Sequence, residues 1–498
     1  MKLRILRAAG LLCTYLFLFW SIGACHKENF TEDPEAVLRF EQDTLSFDTV
    51  FTSIGSATRI LKIYNPNKQS IRINRIFIPG TNPSEFNFNI DGLPGNDVTN
   101  LEIRAEDSIY LFCEVRVNPN DPPEISPYIK LDSIVFEYNS HSDRMILVAF
   151  GQNANYFPSK VFKGQAGVID LQGASLIWDD PKPYIFYGVV YIDHGSFIIK
   201  EGTRVHFWGG LTKTKDSNGT DVFYNDGRLI IGADANLQVI GTKARPVIFE
   251  GVRLEPAYKN TSGQWSGIFF DKGSKGNSIE FAEIKNNLLG VYCDSIVECN
   301  ISNTKIYNNS LYGVYASSAS VKLTNCLFYN QGLSSINFET GGTYAINYCS
   351  LVNFGNTEPA LFLSNSRCID FPFCETIYEH PLQALIQNCV ITGSDQDELW
   401  MNEKKSSAFK PFFKNCLFRI DELFKVFPDF NASYTDQCEI YSNFDRLFKD
   451  ISKNDFHPDT LSVLEMKALV IPGIDADLDG VMRDVLKPDI GCYEYIVR

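Results

Sequence analysis

One frame of sequence returns at an almost constant interval in the second half of the chain. The small residue that opens it is 22, 22 and 23 positions from its next copy at Ala282, Thr304, Cys326 and Cys349. Two later copies open at Cys389 and Cys416, after longer gaps that indicate loop insertions. This period, with two or three short strands per unit and no helical 3.6-residue pattern, is typical of a parallel β-helix.

Stacking of such coils places equivalent side chains about 4.8 Å apart. The small residues of the frame therefore predict an inward ladder. A second ladder is predicted at a neighbouring bend, because asparagine tolerates left-handed backbone angles; its members are Asn303, Asn325, Asn388 and Asn415. A second strand keeps the same step at 290–293, 313–316 and 335–338, and the crossover rule predicts right-handed winding.

Upstream segments extend the pattern at 195–207, 227–232 and 265–270. Together with the repeats they resemble the right-handed β-helix proteins of the pectate-lyase-like superfamily, over residues 155–498. From about residue 445 the chain resembles the closing segment of many secreted bacterial β-helix proteins. We expect that segment to cap the end of the rod, because an exposed final coil would invite edge-to-edge association.

Residues 38–153 show short alternating runs separated by turn residues, as in Ile60–Tyr64 and Ile71–Ile76. About seven strands of this kind predict an immunoglobulin-like β-sandwich. Leu45–Val50, the Asn65 turn and Ala149–Gln152 resemble the modules of the ASPM, SPD-2 and Hydin group, which implies a spacer or interaction unit. The predicted fold class is all-β, an immunoglobulin-like β-sandwich followed by a right-handed parallel β-helix.

The first 24 residues have the pattern of an export signal: basic residues, an apolar run from Leu11 to Trp20, and small residues before Cys25. Ile22–Cys25 resembles the lipobox of bacterial lipoproteins, which implies a diacylated Cys25 at the mature N-terminus. A plain secretory signal or a membrane anchor is the alternative, although the run is short for a bilayer span of roughly 20 residues. Residues 25–37 are predicted to be a tether. We expect an outer-membrane lipoprotein, at the cell surface rather than on the periplasmic face.

The net charge of the chain limits the classes of partner that we expect. Lys and Arg number 45 against 60 Asp and Glu, which gives a net charge of −15. This excess of acid argues against nucleic acid, and against anionic polysaccharide unless cations mediate the contact. The partners we expect are the membrane, through Cys25, and a glycan or an envelope protein.

An insertion at about 357–381 carries aromatic residues that are candidates for stacking on sugar rings. The candidates are Phe371, Phe373, Tyr378 and His380, and a packed lid over a coil is the alternative. Cys368 and Cys374 in this insertion are the best candidates for a disulfide. The frame predicts that most other cysteines are buried and reduced.

Asp475, Asp477 and Asp479, followed by Gly480, match the start of a calcium loop. The match then fails at Leu486, where an EF-hand requires glutamate. A capping turn is the alternative, and Ca²⁺ is the one cofactor that the sequence suggests.

No catalytic set is evident from the sequence. Enzymes of this fold use an Arg or Lys base with Ca²⁺, or paired carboxylates, and the polygalacturonase motifs are not present as a set. Asp179–Asp180 is interpreted as a turn, and Asp193–His194 as strand neighbours that face opposite sides.

Our leading hypothesis is therefore a lipid-anchored binding or structural protein that presents the β-helix surface to a glycan or protein. The alternative is a polysaccharide lyase or glycoside hydrolase, and a third possibility is a component of an envelope complex. Charged side chains that converge on one solvent-facing groove would favour the enzyme.

Overall fold

The computed structural model describes residues 30–47, 58–79, 85–116, 129–150, 154–157, 167–209, 211–215, 221–254, 258–370, 372–441 and 446–496. The chain divides into two compact units. The sandwich unit comprises residues 1–121 and 129–152, and the coil unit comprises 122–128 and 153–498. None of the described helices is long and apolar enough to cross a membrane.

The sandwich unit is built from two five-stranded sheets, in the orders β1-β3-β8-β5-β6 and β2-β10-β9-β4-β7. Its strands are β1 (Arg39–Phe40), β2 (Thr44–Phe47), β3 (Arg59–Tyr64), β4 (Ile71–Phe77), β5 (Phe86–Ile90), β6 (Leu93–Pro94), β7 (Asp97–Ile103), β8 (Ser108–Val115), β9 (Ile129–Tyr138) and β10 (His141–Phe150).

Alternation along the strands produces the core of the sandwich unit. In β8 every second residue is buried, including Leu111 and Cys113. Cys113 is free and buried, and burial raises the pKa of its thiol to about 12. Asn65 is also buried, and its Nδ2 donates to the carbonyls of Gln69 and Ile103 at 2.8 and 3.0 Å, which fixes the turn after β3.

The coil unit begins with β11 (Asn155–Phe157), β12 (Gly167–Asp170), β13 (Ser175–Trp178), β14 (Tyr184–Tyr187), β15 (Val189–Asp193), β16 (Gly195–Lys200), β17 (Arg204–Trp208), β18 (Leu211–Lys215), β19 (Asp221–Asn225), β20 (Arg228–Ile231), β21 (Ala235–Ile240), β22 (Val247–Gly251), β23 (Gly267–Phe270), β24 (Asn277–Glu280), β25 (Ala282–Lys285), β26 (Val291–Cys293), β27 (Glu298–Ser302), β28 (Lys305–Asn309) and β29 (Val314–Thr324).

It continues with β30 (Leu327–Gln331), β31 (Ile336–Asn347), β32 (Ser350–Asn353), β33 (Leu361–Ser364), β34 (Ser366–Cys368), β35 (Ile377–Glu379), β36 (Leu382–Gln387), β37 (Val390–Gly393), β38 (Leu399–Asn402), β39 (Phe409–Lys414), β40 (Leu417–Phe418), α1 (Leu423–Val426), α2 (Phe430–Tyr434), β41 (Thr435–Asp436), β42 (Glu439–Ile440), β43 (Phe448–Asp450), a 3₁₀ turn (Ile451–Lys453) and β44 (Asp455–Pro458).

Parallel pairing winds these strands into coils with three faces. Face 1 contains β12, β15, β20, β23, β26, the first part of β29 and of β31, β33 and β38. Face 2 contains β13, β16, β21, β24, β27, the second part of β29 and of β31, β36, β39 and β41. Face 3 is the eleven-stranded sheet that runs from β11 to β42. The predicted fold class, an immunoglobulin-like β-sandwich followed by a right-handed parallel β-helix, is confirmed.

The inward ladder predicted from the frame is present. The backbone N–H of Cys326 donates to Cys349 Sγ at 3.4 Å, and that of Cys349 donates to Cys389 Sγ at 3.4 Å. All three thiols are free and buried, and burial raises their pKa well above the ordinary value. Side chains from consecutive frames are therefore neighbours on adjacent coils.

The asparagine ladder is present as well, and its backbone is left-handed. The φ angles are +49°, +52°, +56° and +49° at Asn303, Asn325, Asn388 and Asn415. Asn325 Nδ2 donates to Asn303 Oδ1 at 3.1 Å across one coil step. Where the frame lacks asparagine, Phe281 and Tyr348 adopt the same conformation, so the bend and not the residue type repeats.

The C-terminal segment differs from the expected end cap, because it packs along the side of the coils. Its apolar residues, among them Leu464 and Ile490, form one cluster with Val352 and Val390 on the outside of face 3. The asparagine ladder holds it there, since Asn388 Nδ2 donates to the carbonyl of Leu469 at 2.8 Å. The expectation of an end cap came from the need to cover the exposed edge of the last coil. The side-chain amides of the asparagine ladder instead attach the C-terminal segment to the side of the coils.

The helices pack against the final coils. The ring centroid of Phe430 in α2 lies 5.9 Å from that of Phe413 and 5.8 Å from that of Phe418, both of which belong to the coil interior. The interior of the coil unit thus continues into α2.

Candidate functional site

Tyrosine residues recur at one outward position of face 1. Phe269 pairs with Tyr292, and Tyr292 pairs with Tyr315, on three consecutive coils. The ring centroids are 5.4 and 5.6 Å apart, and the planes of Tyr292 and Tyr315 differ by 10°. The rings therefore turn their faces towards one another, so that ring edges and hydroxyl groups line the half-buried outer side.

Carboxylates lie two residues after the outward position that carries the tyrosines. Asp193, Asp271, Asp294 and Glu339 each follow the last inward residue of a face 1 strand. The backbone N–H of Asp271 donates to Ile231 O, and that of Asp294 donates to Phe270 O, so the parallel register continues through them. Because each coil adds about 4.8 Å, the acidic groups form a column beside the tyrosines.

Hydrogen bonds join the two columns. The hydroxyl of Tyr191 bonds to Asp271, and that of Tyr315 donates to Glu339 Oε2. Burial, together with the charges of Asp294 and Asp193, raises the pKa of Asp271 above its ordinary value. Burial and the bond to Asp271 raise the pKa of Tyr191 to about 12. Asp271 is the carboxyl group here whose environment favours its protonated form.

An arm stands beside these columns. It is the hairpin of β34 and β35, closed by a disulfide between Cys368 and Cys374 as predicted. Asn365 anchors its base, because Asn365 Oδ1 accepts the N–H of Lys404 at 2.7 Å while Nδ2 donates to Lys404 O at 2.8 Å. Arg367 of the arm hydrogen-bonds to Tyr315.

We call this surface the face 1 strip, which consists of Tyr191, Asp193, Asp271, Tyr292, Asp294, Tyr315, Glu339 and Arg367. It contains hydroxyl donors, carboxylate acceptors and one guanidinium group along one outer side of the coils. These charged side chains gather along one solvent-facing strip. A solvent-facing groove is the feature that we expect of an enzyme.

The structure places three of the four predicted sugar-stacking residues on the arm or at its base. Phe373 and Tyr378 are 79% and 57% exposed, and His380 is exposed where the arm returns to face 2. Phe371 lies outside the described residues, as does Cys25. The exposure of Phe373 and Tyr378 contrasts with the alternative of a packed lid, in which both rings would be covered.

The predicted calcium residues lie in the C-terminal segment. Asp477 is buried, and its two carboxylate oxygens accept the backbone N–H groups of Asp479, Val481 and Glu494 at 2.9, 2.7 and 2.8 Å. Asp475 is exposed and, with Asp477, lines a cleft of about 660 Å³ beside face 2. Asp477 therefore acts as the acceptor of a turn.

Asp479 has a different contact. His457 Nε2 lies 3.2 Å from its Oδ2, while His457 Nδ1 lies 2.6 Å from Asp455 Oδ1. The hydrogen bond to Asp479 and the one to Asp455 raise the pKa of His457. Among the described residues, no three His, Cys, Asp or Glu side chains are grouped to hold a metal ion.

The interpretation of Asp193 and His194 as opposed strand neighbours was wrong. The strand ends at Asp193, and His194 has a φ of +45° in the bend that follows. His194 Nδ1 consequently lies 3.3 Å from both Asp193 Oδ2 and Asp170 Oδ1. Strict alternation holds only inside a strand, and the bend returns the imidazole to the side of the carboxylates.

Sequence reasoning missed the face 1 strip, although a signal for it was present. The repeated segments 290–293 and 313–316 carry Tyr292 and Tyr315 at the same position, which alternation places outside. Acidic residues at the ends of the strands of successive coils, such as Asp271 and Asp294, were the second part of that signal.

No protein-family model matches the chain, and no curated protein was found that matches it. Solved structures similar to it include the ASH/PapD-like domain 7 of human CEP192, at 11% identity and a TM-score of 0.17, covering 25% of this chain and 92% of that one. Another is the catalytic unit of a thermostable GH87 α-1,3-glucanase from Streptomyces thermodiastaticus strain HF3-3, at 9% identity and a TM-score of 0.24, covering 73% and 75%. A third is a family 123 glycoside hydrolase from Clostridium perfringens, at 9% identity and a TM-score of 0.17, covering 38% and 44%. The assignment of the site rests on the geometry above and on none of these likenesses.

Proposed function

We propose that the face 1 strip binds a glycan chain. The observation that carries the proposal is the pairing of the hydroxyls of Tyr191 and Tyr315 with the carboxyl groups of Asp271 and Glu339, beside an arm with two exposed aromatic rings. Sugar hydroxyls both donate and accept hydrogen bonds, so a surface that alternates phenols with carboxylates complements them. The exposed rings of Phe373 and Tyr378 supply the apolar faces on which a pyranose stacks.

A second candidate function is hydrolysis of that glycan, and the environment of Asp271 favours it. A glycosidase needs one carboxyl group with a raised pKa as the acid and a second carboxylate as nucleophile or base. Asp271 has the raised pKa, and Asp294 lies one coil step from it, about 4.8 Å along the rod. That spacing is close to the ~5–5.5 Å of retaining enzymes. Asp193 lies two coil steps away, about 9.6 Å, near the upper limit for inverting enzymes.

The experiment that tests both functions is incubation of the purified protein with a panel of polysaccharides. Retention on each polymer measures binding, and new reducing ends measure hydrolysis. If the strip binds glycan, at least one polymer is retained, and Tyr292→Ala weakens that retention about 3- to 10-fold. Tyr110→Ala is the matched control, because Tyr110 is an exposed tyrosine of the sandwich unit.

The two functions separate with one further variant. Asp271→Asn abolishes the formation of reducing ends while it leaves retention within a few-fold, because only hydrolysis requires the proton of Asp271. Failure of every polymer to be retained by the wild-type protein contradicts the proposed function as a whole. Retention without new reducing ends leaves the binding function and rejects the enzyme.

The cellular setting belongs to the same proposal. We propose that Cys25 is lipidated and that several acyl chains hold the protein at the outer membrane, facing outward, where an extracellular glycan is available. The export pattern of residues 1–24 supports this. Labelling of cells with a palmitate analogue tests it, since Cys25→Ser must lose the label and accumulate an uncleaved precursor. Protease treatment of intact cells tests the orientation.

Two further proposals concern ligands of the remaining surface. We propose Ca²⁺ only as a candidate for the loop of Asp475, Asp477 and Asp479, and equilibrium dialysis against ⁴⁵Ca²⁺ tests it. An envelope protein as the partner is tested by purification from cross-linked cells. The acidic balance of the chain supports the exclusion of nucleic acid, which a filter-binding assay checks.

A further inference from the structure

The arm brings a single guanidinium group to the acidic part of the face 1 strip. Arg367 donates a hydrogen bond to the hydroxyl of Tyr315, and Tyr315 in turn donates to Glu339 Oε2. Tyr292 and Glu339 also lie near the guanidinium, and the negative charge of Glu339 acts on it. Arg367 is therefore the first of three hydrogen-bonded side chains, of which the last is the carboxylate of Glu339.

These hydrogen bonds determine which ligand groups Arg367 is able to recognise. A guanidinium group has five N–H donors, and the bond to Tyr315 uses only part of them. The negative charge of Glu339, however, already acts on this guanidinium, and Asp294 stands one coil before Tyr315 on the same side. A sugar hydroxyl satisfies the remaining donors without charge, whereas a sugar carboxylate would meet the negative potential of Glu339 and Asp294.

The arm itself fixes this position. The disulfide between Cys368 and Cys374 closes the hairpin directly beside Arg367, and Asn365 ties its base to Lys404. Arg367 therefore reaches the strip with few free torsions, which lowers the entropy that binding has to remove. Arg228 of face 1 packs over the ring of Phe269, with its Cζ 4.3 Å from the ring centroid. Phe269 lies two coils away from Tyr315.

We infer that the face 1 strip selects uncharged glycans over uronic acid chains, and that Arg367 is the residue that reads the sugar hydroxyls while Glu339 excludes a sugar carboxylate. This inference rests on the proposed function, because it names the substrate class of the same site. It extends that function from sugars in general to chains without acidic groups.

The test uses pairs of ligands that differ only at C6 of each sugar, which is a hydroxymethyl group in one member and a carboxylate in the other. β-1,4-mannohexaose and the β-1,4-mannuronate hexamer form one pair, and cellohexaose with the β-1,4-glucuronate hexamer forms another. Dissociation constants are measured calorimetrically on the full chain, in EDTA, at two salt concentrations. We expect the uncharged member of the bound pair to bind at least about ten-fold more tightly, and the difference to shrink at high salt.

Variants of the chain separate the two roles. Glu339→Gln frees the charge of Arg367, so the preference must shift towards the uronate by about ten-fold. Arg367→Ala must weaken the uncharged ligand, and the double variant must lose the gain of Glu339→Gln, because that gain acts through Arg367. Asp91→Asn is the control, since it removes an exposed carboxylate from a turn of the sandwich unit whose φ of +48° suits asparagine.

A second variant keeps the test decisive if Glu339→Gln lowers stability. Asp294→Asn removes a neighbouring charge and must shift the preference in the same direction by a smaller factor. Equal binding of both members of a pair, or a preference unchanged in both carboxylate variants, overturns the inference. So does uronate binding in Ca²⁺ as tight as that of the uncharged ligand. If no sugar binds the wild-type chain, the proposed function fails instead.

Discussion

Asn388 gives the sharpest test of how the C-terminal segment is attached. It is fully buried in the asparagine ladder, its Nδ2 donates to Leu469 O at 2.8 Å, and its Oδ1 accepts the N–H of Leu469 at 2.9 Å. Asn388→Ala removes both bonds and leaves a buried donor and acceptor without partners, at about 1–3 kcal/mol each. An alanine at a φ of +56° adds about 1 kcal/mol. The expected loss of unfolding free energy is about 3–7 kcal/mol.

The measurement is urea unfolding combined with limited proteolysis of the segment after residue 446. Asn388→Gly loses the same two bonds but tolerates the left-handed backbone, so it should be about 1 kcal/mol more stable than Asn388→Ala. Asn330→Ala is the control, because Asn330 has a φ of +53° at an exposed position outside the asparagine ladder, and its Nδ2 donates to Asn308 Oδ1. A loss at Asn388 no larger than at Asn330, or a segment no more sensitive to protease, would refute the anchoring role.

Three further outcomes follow from the structure. The hydrogen bonds of His457 to Asp479 and Asp455 raise the pKa of His457 in the folded state. Its contribution to the unfolding free energy is therefore complete below the unfolded pKa of about 6.5 and is lost as the pH rises through the raised value. In urea unfolding at a series of pH values, His457→Gln should lower stability at acidic pH and not at alkaline pH. Gly290→Ala places a Cβ 2.3 Å from Gly313 O and should cost about 1–3 kcal/mol by thermal unfolding. Replacing Cys368 and Cys374 together by serine should loosen Arg367 and weaken glycan binding, while the thermal midpoint of the coils stays unchanged because the arm lies outside their core.

The architecture could be predicted because every coil places the same demand on its inward residues. A small side chain is required at the inward ladder position, because the interior is crowded there. Cys326, Cys349 and Cys389 fill this position, and the requirement repeats once in every coil. The bend beside them repeats a left-handed backbone, which asparagine adopts at low cost. Requirements that recur at a constant interval are visible in a single sequence.

The functional surface was harder to predict, because nothing in the packing requires it to repeat. The outward column that contains Tyr292 and Tyr315 is interrupted by Ile230 and by Asn337, so it shows no constant period. The lateral position of the C-terminal segment was hidden for a related reason. The sequence predicted Asn388 as a residue of the bend. It did not indicate that the side-chain amide of Asn388 would bind the backbone of Leu469.

The tyrosine and carboxylate columns have one competing explanation, in which they only stabilise the stack. Ring contacts between adjacent coils contribute about 0.5–1.5 kcal/mol each, so Phe269, Tyr292 and Tyr315 do support the fold. The same explanation does not account for the acidic column, because Asp271 and Asp294 lie on adjacent coils, where burial and then the nearby charge of Asp294 raise the pKa of Asp271. A structural ladder would place neutral residues there, as the asparagine ladder does. An acidic column that persists at a cost in stability is best explained by a ligand that meets it.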